Sequence, residues 1–416
     1  MLRVADRLRR RAIFFGLLLC MSSAWGGALV ESYLKALSTD SAFQTARSEL
    51  EVNTLTAVRS SRAYWPDFSI RLGARSEAGG TQTTTQLVQP LYNSDRLATW
   101  LGAEPQQIHA DTVMQVREIQ LAQRYFSTVA ELVRARESIR LNRRKVEALE
   151  QQSNAAKQSY QLGAGTLTDM RDTQVRLDQT RAESISLNAR LSAAESRYRS
   201  MTGTQVLDSQ FVLKRLKRNH RLPPLNEMLD LARQANPDLV MARQAERLAE
   251  LDVWRKRGSL TPQVNLVMQQ TQVAQGGNSK FVGVTLDFPF QTTSLLNIDI
   301  SKAQSSKVSG DLRTVEINTQ LEVERLYGLA KATEVEVDIR IDAIDSAQLS
   351  LEANQQSFIG GVRSRLDVLN SIQTYYQVQE QYVQARLTQA EYLISLYSLL
   401  AVSPEVVLTD TEALLF

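Results

Sequence analysis

The sequence has few of the residues that build metal sites, disulfides and loops. Its 416 residues include one Cys, two His, nine Pro and 18 Gly. A single Cys excludes a disulfide framework within the chain, and the shortage of Cys and His argues against a zinc site. A formal net charge of +3 provides no broad basic surface for nucleic acid. Scarce Pro and Gly favour long uninterrupted elements over a loop-rich fold, and the length allows two or three domains.

Residues 1–26 have the composition of a secretory signal peptide. Met1–Arg11 carries five Arg and one Asp, residues 12–21 are apolar, and small residues follow at 22–26. The apolar stretch is about 10 residues long, whereas a membrane-spanning helix needs roughly 20. Its removal leaves a Cys-free chain of net charge near +3 − 4 = −1, which suits an exported protein. A retained anchor, or a lipoprotein signal at Cys20, is the alternative.

The remainder of the chain consists of two copies of one repeat. Residues of the first unit match residues 196 positions later without a gap, and later matches fall at offsets of 197 to 199. The pairs at 196 are Leu29/Leu225, Glu31/Glu227, Ala36/Ala232, Ala46/Ala242, Arg47/Arg243, Leu55/Leu251, Arg59/Arg255 and Pro66/Pro262. One spacing held over most of the chain indicates a tandem duplication with repeats of about 195 residues.

Each repeat predicts the order helix, strand, turn, strand and long helical hairpin. In the first repeat a helix over about 29–64 ends before Pro66, and strict alternation of apolar residues then predicts a strand. The predicted organisation is a signal peptide (1–26), a first repeat (27–203, strands about 67–91, hairpin about 104–203), a linker (204–224), a second repeat (225–403, strands about 263–290, hairpin about 296–403) and a C-terminal tail (404–416).

The predicted helices are unusually long. The 57 residues between Pro105 and Gly163 contain no Pro or Gly, enough for one helix of about 85 Å. In the second repeat, Gly310 and Gly328 are expected to interrupt the helix before the tip. Apolar and small residues spaced three and four apart along these helices are typical of coiled-coil packing.

The predicted strands are amphipathic. Phe68, Ile70 and Leu72 alternate with polar residues in the first repeat, and residues 282–288 do the same in the second. Such alternation is typical of membrane-barrel strands, although two small soluble hairpins would also show it. Four strands leave open edges, which several identical chains can close by sharing one barrel.

Other functions find little support in the sequence. The basic run within 214–221 lacks aromatic residues for base stacking, which favours a solvated linker over a nucleic-acid site. His109 and His220 lie on a predicted helix and in this linker, away from any recognisable nucleophile or acid pair. We therefore expect no enzyme activity, no cofactor and no metal site.

Several short motifs occur in the same order in both repeats. They are Ala36–Ala46 and Ala232–Ala242, Tyr64-Trp-Pro66, Gln89-Pro-Leu-Tyr92, Tyr160-Gln-Leu-Gly-Ala-Gly-Thr-Leu-Thr-Asp169 and Phe358-Ile-Gly-Gly-Val-Arg-Ser-Arg-Leu-Asp-Val-Leu-Asn370. With these motifs, the chain resembles the TolC family of outer-membrane efflux and secretion channels over essentially all of its length after residue 26.

The resemblance implies an α+β membrane protein. Its TolC-like fold would be a tandem-duplicated, long α-helical coiled-coil barrel, with four strands per chain contributing to a trimeric 12-stranded outer-membrane β-barrel. The expected partners are two further copies, outer-membrane lipid, a periplasmic adaptor (membrane fusion protein) and an inner-membrane ABC or RND transporter. The cargo would be drugs, metal ions or proteins, exported from a Gram-negative bacterium through the periplasm and outer membrane. A soluble periplasmic coiled-coil adaptor or scaffold without a pore is the alternative.

The resemblance also places the functional residues at the two hairpin tips. The periplasmic gate or constriction would comprise Asp367, Asn370, Arg363, Asp169 and Phe358. The sharp turns and the adaptor-docking surface would comprise Gly163, Gly165, Thr166, Gly360, Gly361 and Ser364.

The two tip aspartates have a second interpretation. Asp169 and Asp367 fall where a carboxylate caps a helix N-terminus, whereas three copies of Asp367 would form an acidic ring. The family's tip tyrosine is here Phe358, and a second acidic position is here Asn370. We therefore expect the closed tip to be held less tightly than in the family, or by other contacts.

Overall fold

The computed structural model describes residues 27–74, 81–207, 209–214, 222–273, 277–289 and 292–416. The signal-like segment with Cys20, most of the basic linker and most of both strand-connecting turns lie outside the described residues. The helices are α1 (Ala28–Thr39), α2 (Ser41–Ser61), α3 (Ser94–Leu101), α4 (Ala103–Gln161), α5 (Leu167–Thr202), α6 (Leu225–Ala235), α7 (Pro237–Gly258), α8 (Ser294–Ile359), α9 (Arg365–Leu399) and α10 (Pro404–Leu415). The strands are β1 (Asp67–Ala74), β2 (Thr81–Tyr92), β3 (Gln263–Val273) and β4 (Ser279–Asp287).

The first helix of each repeat is broken, where the sequence predicted one continuous helix. Asp40 has an extended backbone, and its Oδ1 accepts a hydrogen bond of 2.8 Å from the Phe43 N–H, which starts α2. Asn236 caps α7 in the same way through the Leu239 N–H (3.1 Å), and Pro237 follows at the first helical position. A short side chain that accepts from the backbone ends one helix and begins the next.

Four long helices form the two hairpins. They contain 59 residues (α4), 36 (α5), 66 (α8) and 35 (α9). The expected interruptions at Gly310 and Gly328 are wrong, because α8 runs through both. Glycine inside a helix costs about 1 kcal/mol, which neighbouring good helix formers outweigh. None of the described helices is both long and apolar enough to cross a membrane.

Among the described residues, the first of two compact units comprises those within 27–44, 118–229 and 322–416, and so contains both hairpin tips. Its buried core is formed mainly by α1, α4, α5, α8, α9 and α10. Fully buried apolar side chains of this core include Leu29, Tyr33, Tyr125, Phe126, Leu132, Tyr198 and Leu387. The Tyr125 hydroxyl donates to the Leu29 carbonyl (2.9 Å), and the Glu412 carboxylate accepts from the Leu29 N–H (3.2 Å). The C-terminal helix thus caps the N-terminus of α1.

The second unit comprises residues 45–117 and 230–321 and contains the sheet. Four antiparallel strands lie in the order β1-β2-β3-β4. The helices α3 and α7 pack closely against each other. A Cβ added to Gly258 would lie only 2.1 Å from the Ser94 Cβ. Asn93 caps α3 through the Arg96 N–H (3.1 Å) and donates to the Gln263 side chain (3.0 Å). These bonds fix where the helices give way to strands.

Candidate functional site

The first hairpin reverses at Gly163. This residue has φ of +73°, a left-handed conformation that side chains disfavour. The Gly163 N–H donates to the Tyr160 carbonyl (3.1 Å), and the Ala164 N–H donates to the Ser159 carbonyl (2.9 Å). This pair of bonds is a Schellman motif, which satisfies the last carbonyls of α4. Gly165 is also constrained, because a Cβ there would lie 3.2 Å from backbone atoms of Ser159 and Tyr160.

The second hairpin reverses by the same geometry. Gly361 has φ of +76°, and its N–H donates to the Phe358 carbonyl (3.0 Å). The Val362 N–H donates to the Ser357 carbonyl (2.9 Å), completing a second Schellman motif. Gly360 stays at ordinary distances, since a Cβ there would lie 3.6 Å or more from its neighbours. The two turns predicted from the repeat therefore have one physical cause, a left-handed residue at the helix end.

The returning helices begin with side-chain caps. The Thr166 hydroxyl accepts from the Asp169 N–H (3.0 Å) and donates to the Asp169 carboxylate (2.8 Å). The Ser364 hydroxyl accepts from the Asp367 N–H (3.2 Å), and the Ser364 N–H donates back to Asp367 Oδ2 (3.0 Å). The second pair is a full capping box. Both aspartates therefore serve their own helix ends in the single chain.

The charge of Asp367 is stabilised locally. Hydrogen bonds from the Ser364 side chain and backbone, in that order, hold the pKa of its carboxyl below the usual range, and the nearby positive charge of Arg363 adds to this. The Arg363 residue is exposed. Asp367 is therefore ionised at neutral pH, as a carboxylate lining an aqueous passage would be.

The two hairpins meet in an apolar cluster close to the tips. Its buried members come from three helices: Leu149 (α4), Leu177 (α5), and Val368, Leu369 and Ile372 (α9). Leu351 and Phe358 of α8 pack against them. All four long helices therefore contribute to one small core, which couples the position of one tip to that of the other.

Polar contacts also join the hairpins at this point. Arg176 of α5 donates through Nη2 to Asn370 Oδ1 (3.0 Å). Arg365, at the first position of α9, is buried and reaches α4. The sequence predicted a functional role for Asn370 but not for Arg176 or Arg365. One signal for Arg365 was available, since a cation in the first turn of a helix opposes the helix dipole and so needs a tertiary partner.

One face of the sheet is mostly apolar, although the row of Ile70 also carries Thr85, Gln270 and Lys280, and the other face is mostly polar. Directly opposed residues of an antiparallel sheet share a face, and the register aligns Phe68, Leu87, Met268 and Val282 in one row. The neighbouring rows on this face place Leu266 beside Val284 and Val264 beside Leu286. The side chains of Phe68, Ile70, Leu72, Val282, Val284 and Leu286 are 54–77% exposed. The register therefore puts both predicted apolar sets on the same side.

The opposite face is mostly polar. One row there aligns Ser69, Gln86, Gln269 and Phe281, and the next aligns Arg71, Thr84, Thr271 and Ser279. β1 and β4 are the two edges of this sheet, each paired on one side only among the described residues. An apolar outer face, a polar inner face and two open edges are what a section of a larger membrane barrel requires.

Exposed aromatic residues flank the helix-facing end of the apolar face. They are Trp65, Tyr92, Trp100 and Phe288, with exposed fractions of 40–70%. Arg62 lies over the Trp65 ring with its guanidinium carbon 5.0 Å from the centroid. Aromatic side chains with a cation alongside are typical of a membrane–water interface.

Within the described ranges, no group of three or more His, Cys, Asp or Glu side chains is arranged to hold a metal ion.

Comparison with known proteins agrees with this architecture. The family model described as outer membrane efflux protein matches residues 228–402. The alkaline protease secretion protein AprF of Pseudomonas aeruginosa is 23% identical over 406 residues, covering 89% of this chain and 83% of AprF. The outer membrane protein TolC of Vibrio cholerae is 22% identical and covers 91% of each chain.

The fold is also that of solved outer-membrane proteins. The crystal structure of VceC from Vibrio cholerae superposes with a TM-score of 0.74 at 14% identity, covering 90% of this chain and 95% of VceC. This likeness shows a common fold with the two-repeat, four-strand arrangement described above. The family model thus matches the second repeat, and the similarity to outer-membrane efflux and secretion proteins extends, in sequence and in fold, over about nine-tenths of the chain.

Proposed function

We propose that this protein is the outer-membrane channel subunit of a tripartite export system. The observation that carries the proposal is the sheet with one exposed apolar face, one polar face and two open edges. A continuous apolar surface that is exposed to water is unfavourable, and an open sheet edge is unfavourable in lipid. Both problems are solved if the sheet is one part of a closed barrel in a membrane.

Three copies satisfy this requirement. Four strands from each chain give 12, an even number of antiparallel strands that bacterial outer-membrane barrels use. Rotational symmetry brings β4 of one copy to β1 of the next and removes every open edge. The apolar face then meets the outer-membrane lipid, and the polar face lines an aqueous pore.

The hairpins would extend into the periplasm and end at a gate. The tips are the natural constriction because α4, α5, α8 and α9 all converge on one apolar cluster there. In a trimer, three copies of Asp367 would form an acidic ring that favours cations. Asn370, bonded to Arg176, adds no charge to that ring. The gate residues Asp169, Phe358 and Arg363 and the docking residues around Gly163, Gly361 and Ser364 stay part of this proposal.

The partners follow from the same assignment. A periplasmic adaptor would engage the hairpin tips, and an inner-membrane ABC or RND transporter would deliver the cargo. The name of AprF points to protease secretion and that of the family to efflux. Since the channel is a passive conduit in this account, its cargo is set by the transporter with which it pairs.

Fractionation of a Gram-negative host tests the proposal. We expect the protein in the outer membrane, extractable by detergent as a particle with three chains by native mass spectrometry. A monomer in the periplasmic fraction would instead support the soluble coiled-coil scaffold and overturn the channel assignment.

A further inference from the structure

Arg365 occupies an unfavourable place for a cation. It is the first residue of α9, directly after the Ser364 cap, where the helix dipole opposes a positive charge. The Arg365 residue is nevertheless only 8% exposed. A buried cation at a helix N-terminus requires contacts that repay its lost hydration.

Those contacts connect the two hairpins. The guanidinium carbon lies 4.8 Å from the centroid of the Phe358 ring, within range of a cation–π interaction. Nη1 donates to the Gln152 carbonyl (3.4 Å), and Nη2 donates to the Ser159 hydroxyl (3.5 Å). Gln152 and Ser159 belong to the last turns of α4, whereas Phe358 ends α8. Arg365 thus ties the start of α9 to the end of the first hairpin.

The strength of this tie is limited. Both hydrogen bonds are long, and in the part of the chain that the structure describes no carboxylate forms an ion pair with Arg365. If the start of α9 moves away from α4, the guanidinium regains its water shell. An apolar side chain at this place would gain nothing from such a movement. The contact of Arg365 with α4 can therefore break and form again as the tip opens and closes.

We infer that Arg365 is the latch that holds the second hairpin tip against the first within each subunit, with the Phe358 ring as its seat. This inference rests on the proposed channel function and names how its closed state is kept. Phe358 lacks the hydroxyl with which a tyrosine would bond across the tip, and it supplies instead the ring on which Arg365 lies. Arg365 acts as a positioning residue, because it sets the place of α9 and hence of Asp367.

Single-channel recording in planar lipid bilayers tests the latch. Replacing Arg365→Ala removes the ring contact and both hydrogen bonds, and we expect the ratio of open to closed states to rise about tenfold, equivalent to about 1.4 kcal/mol. Arg365→Lys keeps the charge but loses the planar stacking, so it should show a smaller rise. The exposed Arg171, on α5 near the first tip, provides the control, and Arg171→Ala should conduct like the unmodified protein.

A second variant removes the same contact from the other side. Phe358→Leu keeps an apolar side chain on the cluster but removes the ring, and it should raise the open fraction as well. Because both changes break one contact, the double variant should open little more than Arg365→Ala alone. Thermal unfolding of the assembled protein, measured for each variant, should stay near that of the unmodified protein, which a purely structural role would not allow.

The outcomes separate the latch from the channel assignment. If the unmodified protein forms no pore, the proposed function fails. If it forms a pore and Arg365→Ala leaves the open fraction unchanged, or if the effects of Arg365→Ala and Phe358→Leu simply add, the latch is overturned while the channel stands.

Discussion

An arginine in place of Val284 tests the assignment of the sheet faces. Val284 is 54% exposed and lies opposite Leu266, between the Val282–Met268 and Leu286–Val264 pairs. At about 3.4 Å per residue, the rows of Val282 and Leu286 lie about 7 Å on either side, so that Val284 would lie well inside the lipid layer in the proposed barrel. An arginine facing lipid near the midplane costs about 2–4 kcal/mol in each chain, and thus about 6–12 kcal/mol in a trimer.

The expected result is a loss of assembled protein from the outer membrane. Fractionation followed by native gel electrophoresis measures it, with Thr285→Arg as the matched control. Thr285 is the next residue of β4 and points to the polar face, beside Asn265. We expect Thr285→Arg to assemble in near-normal amounts. Normal assembly of Val284→Arg together with loss of Thr285→Arg would refute the face assignment.

Three further predictions concern the turns and helix ends. In Gly361→Ala the added Cβ meets no atom within 4 Å, but the alanine must adopt a left-handed conformation. The substitution should lower the free energy of unfolding by about 1–2 kcal/mol and speed proteolysis at the tip. Gly361→Asn should have a smaller effect on both. Gly258→Ala should destabilise the packing of α3 on α7, as measured by thermal unfolding, and Ser94→Gly should restore part of the loss; no recovery would contradict the predicted clash. Since the folded-state pKa of Asp367 is lowered, its capping contribution is present above about pH 4 and disappears as the pH falls through the lowered pKa. The protection of the Ser364 amide, taken relative to intrinsic exchange at each pH, should therefore fall in acid in the unmodified protein but change little with pH in Asp367→Asn.

The features that could be predicted from the sequence are those with a local cause. Gly163 and Gly361 mark the tips because a left-handed turn needs glycine, and this requirement reads directly from the chain. Strict alternation of apolar and polar residues marked the strands, because this pattern is also set by neighbouring residues alone. The break at Asn236 was missed, although the following Pro237 is a common first helical residue.

Features with a distant cause could not be predicted. Gly310 and Gly328 were expected to interrupt a helix that in fact continues, because local propensity is a weak force against a helix of 66 residues. In the sequence Arg365 stands out only as a cation at the start of a helix, because the α4 atoms that accept its hydrogen bonds lie more than 200 positions away. The joint face of β1 and β4 likewise required the register of all four strands.

Copies of this chain are proposed to form one pore through a membrane, which electrical recording from a planar lipid bilayer can detect after addition of the detergent-extracted protein. We expect discrete, uniform conductance steps that favour cations, as an acidic ring of Asp367 side chains requires. If the bilayer stays silent after trimeric protein has been added, the chain does not form a pore.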